Sequence, residues 1–129
     1  MKLLIFGNPV YEPDSLALQV GTILSDEYET EHLGTPFDLL DRLDKEPAFL
    51  KGMVILDTAF GIPEPVLLKD LSKVKHVRFG SLHDFDMAFF LKMLESIGKV
   101  VPPPILAIPG EMAPGDAAQK ARSLLAEFT

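Results

Sequence analysis

The sequence predicts an α/β fold: a three-layer domain with a mostly parallel, twisted sheet of about five strands and helices on both faces. Three observations predict it. Short apolar runs occur at Lys2 to Phe6, Val54 to Leu56 and Ile105 to Ile108, each bounded by Gly, Pro or a polar residue. Runs of that length read as strands buried on both faces, the kind found in parallel sheets. Between them lie stretches whose apolar residues recur at spacings of 3 and 4, the helical period. Strands alternating with helices argue for parallel βαβ units. No repeat, low-complexity segment or linker interrupts the 129 residues, and 47% of them are hydrophobic. Residues 1–129 therefore read as one domain with a sizeable core.

The elements follow in order. Lys2 to Phe6 is a strand that ends at the turn signal Gly7-Asn8-Pro9. A helix begins near Asp14, with Leu16, Val20, Ile23 and Leu24 on its apolar face; Asp14 is placed where a helix N-terminus favours a carboxylate. Glu27 to Leu33 alternates weakly and reads as a polar edge strand. After Gly34-Thr35-Pro36 a second helix carries Phe37, Leu39, Leu40 and Leu43 and breaks near Pro47. The strand Val54 to Asp57 is central, with Asp57 at its carboxyl end and Gly61 four residues beyond. Val66 to Leu68 and Lys75 to Phe79 are short strands expected to pair with one another. A third helix carries Met87, Phe90, Leu91, Leu94 and Ile97 and stops at Gly98. Pro102-Pro103-Pro104 leads stiffly into the last buried strand, and a final helix capped by Asp116 ends near Phe128.

Composition narrows the function. There is no Cys, which removes disulfides, thiolate metal sites and a cysteine nucleophile. Nothing resembles a signal peptide or a membrane span, so a cytoplasmic protein is expected, with no membrane partner. A formal net charge of -7 disfavours nucleic acid and anionic surfaces. The fingerprints Gly-x-Gly-x-x-Gly and Gly-Lys-Ser/Thr are absent. Ser15 and Ser81 stand outside any nucleophile elbow, and His32 and His76 lie on expected strands.

What remains is a convergence. Ligands bind outside the carboxyl ends of strands in open α/β sheets. Three loops open there: one with Glu12 and Asp14, one with Asp57, one with His83, Asp84 and Asp86. Two carboxylates and an imidazole form a donor set suited to a divalent ion such as Ni²⁺ or Zn²⁺. The residues alone also allow a plainer reading, in which Asp14 and Asp84 cap helices and His83 satisfies loop backbone.

Taken in sequence, Gly7-Asn8, Asp14, Gly34-Thr35, Ile55-Leu56-Asp57 and Ser81-Leu82-His83 resemble the nickel-iron hydrogenase maturation endopeptidases, in order and interval along nearly the whole chain. The resemblance implies an enzyme that removes the C-terminal peptide of a nickel-iron hydrogenase large-subunit precursor after nickel insertion. It implies Asp14, Asp57 and His83 as metal ligands, Asp14 or Asp57 as the base, and Gly34 and Thr35 as substrate-binding residues. The nickel is supplied by the substrate, and no stable metal of the protein's own is expected. The chain departs from the family at Pro13-Asp14-Ser15-Leu16-Ala17, where a second acidic residue and glycines are usual. Two alternatives stay open: a non-cutting paralogue that binds a hydrogenase subunit or nickel, and a flavodoxin-like domain binding an anion at Gly7-Asn8-Pro9.

Overall fold

The computed structural model describes residues 1–6, 15–33, 36–69, 78–79, 92, 94–96, 98 and 101–128. The strands are β1 (Lys2–Phe6), β2 (Glu29–Leu33), β3 (Met53–Phe60), β4 (Val66–Leu68), β5 (Arg78–Phe79) and β6 (Ile105–Pro109). The helices are α1 (Leu16–Leu24), α2 (Pro36–Lys45) and, here numbered α3, the last helix Pro114–Phe128. Lys92 and residues 94–96 are also helical. One sheet contains all six strands, in the order β2-β1-β3-β6-β4, with β5 beside the end of β3. The pairs β1–β2, β1–β3 and β3–β6 are parallel, whereas β4 and β5 run antiparallel to their neighbours. The expected mostly parallel sheet with helices on both faces is what the chain forms.

Alternation along the strands builds two cores. Leu3, Ile5, Val54, Leu56, Leu106 and Ile108 face α1 and α3. Leu4, Phe6, Met53, Ile55, Ala59, Ile105 and Ala107 face α2, Leu94 and the turn at Phe49–Leu50. A strand with apolar residues on both faces has nowhere to sit but the sheet's interior. Hence β1, β3 and β6 are inside, while β2, with its exposed Glu29 and His32, is the edge strand its composition implies.

Several expectations shift in detail. The strands at 66–68 and 78–79 do not pair with each other: Val66–Leu68 joins β6, and Arg78–Phe79 joins β3. The apolar run at β6 leaves a free outer edge for β4, and β3 outlasts β1 and so offers one to β5. Helix α1 buries Leu16, Ala17, Val20, Gly21 and Leu24, while Ile23 is exposed. Small residues set this phase. A Cβ on Gly21 would meet the end of the Ile5 side chain, so the missing side chain lets the helix lie close on the sheet with Ile5 where it is. Phe37, counted in the apolar pattern of the second helix, is exposed, since Leu39 and Leu43 occupy the inward face of α2. The final helix starts at Pro114, a favourable first position, and Asp116 lies in its first turn. Gly98 has φ 74°, and its N–H donates to the Glu95 carbonyl, ending the preceding helical turn as the sequence indicated.

An ion-pair network ties the edge strand inward. The Lys2 ammonium donates to Glu31 at 2.9 Å, and the Arg42 guanidinium donates to the same carboxylate at 2.6 Å while its Cζ lies 4.4 Å from the Phe49 ring centroid. The hydrogen bond from Lys2, with Arg42 adding to it, holds the Glu31 carboxyl below its ordinary value despite the upward push of burial.

Two predictions follow from packing and charge. Leu106→Ala, at a fully buried position between β3 and β4, should cost about 2–5 kcal/mol in urea unfolding. Glu31→Gln should cost no more than about 1 kcal/mol at neutral pH, because the pair is partly exposed. A carboxyl whose folded pKa is depressed contributes stability above its unfolded value. The wild-type advantage should therefore be complete above about pH 4.5 and fade as pH falls below it. Unfolding curves of both proteins between pH 3 and 7 check this.

Candidate active site

The order of the crossovers fixes where a site can form. The chain leaves β1 through α1 to β2 on one side, then returns through α2 to β3 on the other. Helix α1 covers one face and α2 the opposite face. The strand order thus reverses between β1 and β3, and the carboxyl ends at such a reversal are where open α/β sheets bind ligands. The last pair between them is Ile5 with Leu56. Asp57 is the next residue along β3, at that reversal.

Asp57 is the fifth of eight residues in β3, so the strand runs further than the sequence indicated. It continues because β6 pairs with it through Asp57–Ala107, Thr58–Ile108 and Ala59–Pro109, and β5 pairs with Ala59 and Phe60. Asp57 is 2% exposed, and its Oδ1 accepts the Thr58 N–H at 2.9 Å. Burying a carboxylate costs several kcal/mol unless hydrogen bonds or charges compensate. Asp57 and Thr58 are the buried polar side chains among the described residues, on a strand otherwise built for packing.

Thr58 was not visible as a site residue in the sequence. Its side chain turns to the opposite face, where its Oγ1 accepts the Ala17 N–H at 3.1 Å. That amide is in the first turn of α1, where N–H groups have no partner within the helix. Ser15, at the N-cap, makes no capping bond with its side chain. A residue 41 positions away thus supplies the cap, which no local pattern announces. Gly110 closes the same end of the sheet. Its N–H donates to the Ala59 carbonyl at 3.1 Å, and a Cβ there would come within 3.1 Å of the Phe60 ring and 3.5 Å of the Thr58 methyl.

The remaining candidates, Asp14, Gly34, Thr35 and His83, lie outside the described residues. The described residues that flank them in sequence do meet at this edge. Phe6, which precedes the segment with Asp14, pairs with Leu33, which precedes Gly34 and Thr35. Phe79, four positions before His83, pairs with Ala59. Among the described residues no group of three His, Cys, Asp or Glu side chains could hold a metal. Asp57 is thus the donor of the expected set whose surroundings are described.

An apolar hollow of about 1060 Å³ lies at the other end of the strands, lined by Met1, Leu50, Met53, Pro104 and Phe128 among others. Met53 and Met1 are at amino ends of β3 and β1, so this hollow is remote from Asp57. Among the described residues, no helix is long and apolar enough to cross a membrane.

No family model matches the chain, and no curated protein matches its sequence. Among solved structures it is similar to the NiFe hydrogenase maturation protease HybD from Thermococcus kodakarensis, with a TM-score of 0.65 and 22% sequence identity over 99% of each chain. A likeness at that identity speaks for architecture, and it extends over essentially the whole of both molecules. The chain has the α/β fold of this hydrogenase maturation protease from end to end.

Proposed function

We propose that the chain is an endopeptidase that removes the C-terminal peptide of a nickel-iron hydrogenase large-subunit precursor after nickel insertion. The observation that carries the reading is Asp57. It is a buried carboxylate at the strand-order reversal of a fold shared, over 99% of both chains, with a hydrogenase maturation protease. The order of the motifs from Gly7 to His83 supports the same reading.

The chemistry is coherent. Asp14, Asp57 and His83 are the ligands this chain offers to nickel held in the precursor, and no resident metal is required. Contact with that ion fixes the scissile bond near the two carboxylates and can polarise its carbonyl. Asp57 or Asp14 takes a proton from water as the oxygen attacks the carbonyl carbon, and the departing amine receives a proton as the C–N bond breaks. Gly34 and Thr35 are the proposed contacts to the peptide. Dependence on the substrate's nickel makes cleavage conditional on completed metal insertion. A cytoplasmic location belongs to this proposal.

A second reading is a chain of the same fold that binds a hydrogenase subunit or nickel without cutting. The start of α1 favours it: Ala17 is fully buried with its N–H committed to Thr58, at a place where the resemblance has a glycine.

The experiment is to incubate the protein with a nickel-loaded precursor and detect the released C-terminal fragment by mass. Wild-type protein should release it only when nickel is present. Asp57→Asn retains an oxygen for the Thr58 N–H, so it should stay folded while cleavage falls by about 100-fold or more. His83→Ala should abolish cleavage. Retained precursor binding without any fragment would favour the non-cutting reading. Nucleotide or phosphate binding that is indifferent to His83→Ala would favour the anion-binding domain.

A further inference from the structure

The residue that holds this end of the sheet together is Thr58, and it does so from both of its polar groups. Its backbone N–H donates to Asp57 Oδ1 at 2.9 Å, and its hydroxyl oxygen accepts the Ala17 N–H at 3.1 Å. The first bond orients the carboxylate on the α2 face of the sheet. The second fixes the first turn of α1 on the other face. In the sequence, Ala17 follows Asp14 by three positions. Thr58 is 1% exposed, and its methyl lies against Gly110, close enough that a Cβ there would be in van der Waals contact with it at 3.5 Å. Neither polar contact can drift far, because β3 is hydrogen-bonded to β6 through Asp57, Thr58 and Ala59.

We propose that Thr58 is a positioning residue of the site. Its hydroxyl oxygen holds the start of α1 in register with β3, and its backbone N–H holds the Asp57 carboxylate, so one residue ties the first turn of α1 to the strand that carries Asp57. The role rests on the proposed peptidase reading for its consequence in catalysis, but the structural tie to Ala17 stands on its own. Misplacing a catalytic group by about 1 Å can cost about 100-fold in rate, whereas substrate affinity spread over a wider surface changes little.

Two substitutions separate the hydroxyl from the methyl. Thr58→Ser keeps the acceptor and gives up the packing against Gly110. Thr58→Val keeps the shape and removes the acceptor. With the nickel-loaded precursor, Thr58→Val should lose about 100-fold in kcat with KM within about threefold of wild type, and Thr58→Ser should restore most of the rate. Melting temperatures of both variants are measured alongside, and assays are run well below the lower one. Thr58→Ala serves as a second hydroxyl-free variant if Thr58→Val does not fold. Wild-type turnover in Thr58→Val overturns the proposal. So does an equal loss in Thr58→Ser and Thr58→Val, which indicates packing alone, and so does failure of both hydroxyl-free variants to fold.

Amide exchange at Ala17 keeps this outcome distinct from the fate of the peptidase reading. If wild-type protein cleaves no precursor, the peptidase reading falls, and exchange at Ala17 decides the tie. Exchange faster by about tenfold in Thr58→Val, with Thr58→Ser at the wild-type rate, upholds it. Equal Ala17 exchange in the three proteins overturns it.

Discussion

Everything at the candidate site depends on β3 being held from both edges. It pairs with β1 through Leu56 and with β6 from Ile55 to Ala59, and it buries side chains on both faces. A strand so enclosed has little freedom to shift register, because a slip of one residue would exchange its two faces. Asp57 therefore projects from a fixed backbone. The surrounding loops can vary in sequence and still meet a carboxylate at a constant place. This is the usual division of labour in such sheets, where a rigid scaffold presents residues to more variable connections.

The two faces of β3 do different work at this level. Residues of odd number from Met53 to Ala59 look towards α2, and those of even number look towards α1 and α3. Asp57 and Thr58 are adjacent, so one polar residue falls on each face. Neither is solvated, and each would burden the fold if left without a partner. Thr58 offsets this by capping a helix that its own N-cap residue leaves uncapped by a side chain. The polar pair thus joins the stability of α1 to the geometry of the carboxylate. A purely apolar β3 would pack as well and would leave the helix start without its cap and the strand-order reversal without a carboxylate.

What could be read in the sequence was whatever is written in short-range pattern. The apolar runs of β1, β3 and β6, the polar edge strand β2 and the stop at Gly98 are each signalled by a few neighbouring residues. Asp57 was legible for the same reason: a single carboxylate stands out in an apolar run. The misjudged features all depend on distant partners. Ile23 and Phe37 face solvent because Gly21 lets α1 settle on Ile5 and because Leu39 and Leu43 take the inner face of α2. The pairing of β4 and β5 was misread because antiparallel additions to a parallel sheet are set by which edges remain open. Thr58 was missed because its partner is 41 positions away. The expected donors Asp14 and His83 and the contacts Gly34 and Thr35 rest on the order of motifs, with their flanking residues Phe6, Leu33 and Phe79 at the one edge.

The two ends of the sheet differ in chemistry. The carboxyl end carries a buried acid and little described apolar lining, whereas the amino end carries the apolar hollow at Met1, Leu50 and Phe128. Among the described residues, the buried carboxylate is at the first. The hollow offers neither a carboxylate cluster nor a histidine among its lining residues beyond the lone acid Glu95. Apolar volume is thus no guide to chemistry in this molecule. The better guide is the point where strand order reverses, because open α/β sheets bind ligands outside the carboxyl ends of their strands there. Asp57 stands at that point on a strand paired along both edges, so its carboxylate is presented from a backbone that packing has already fixed.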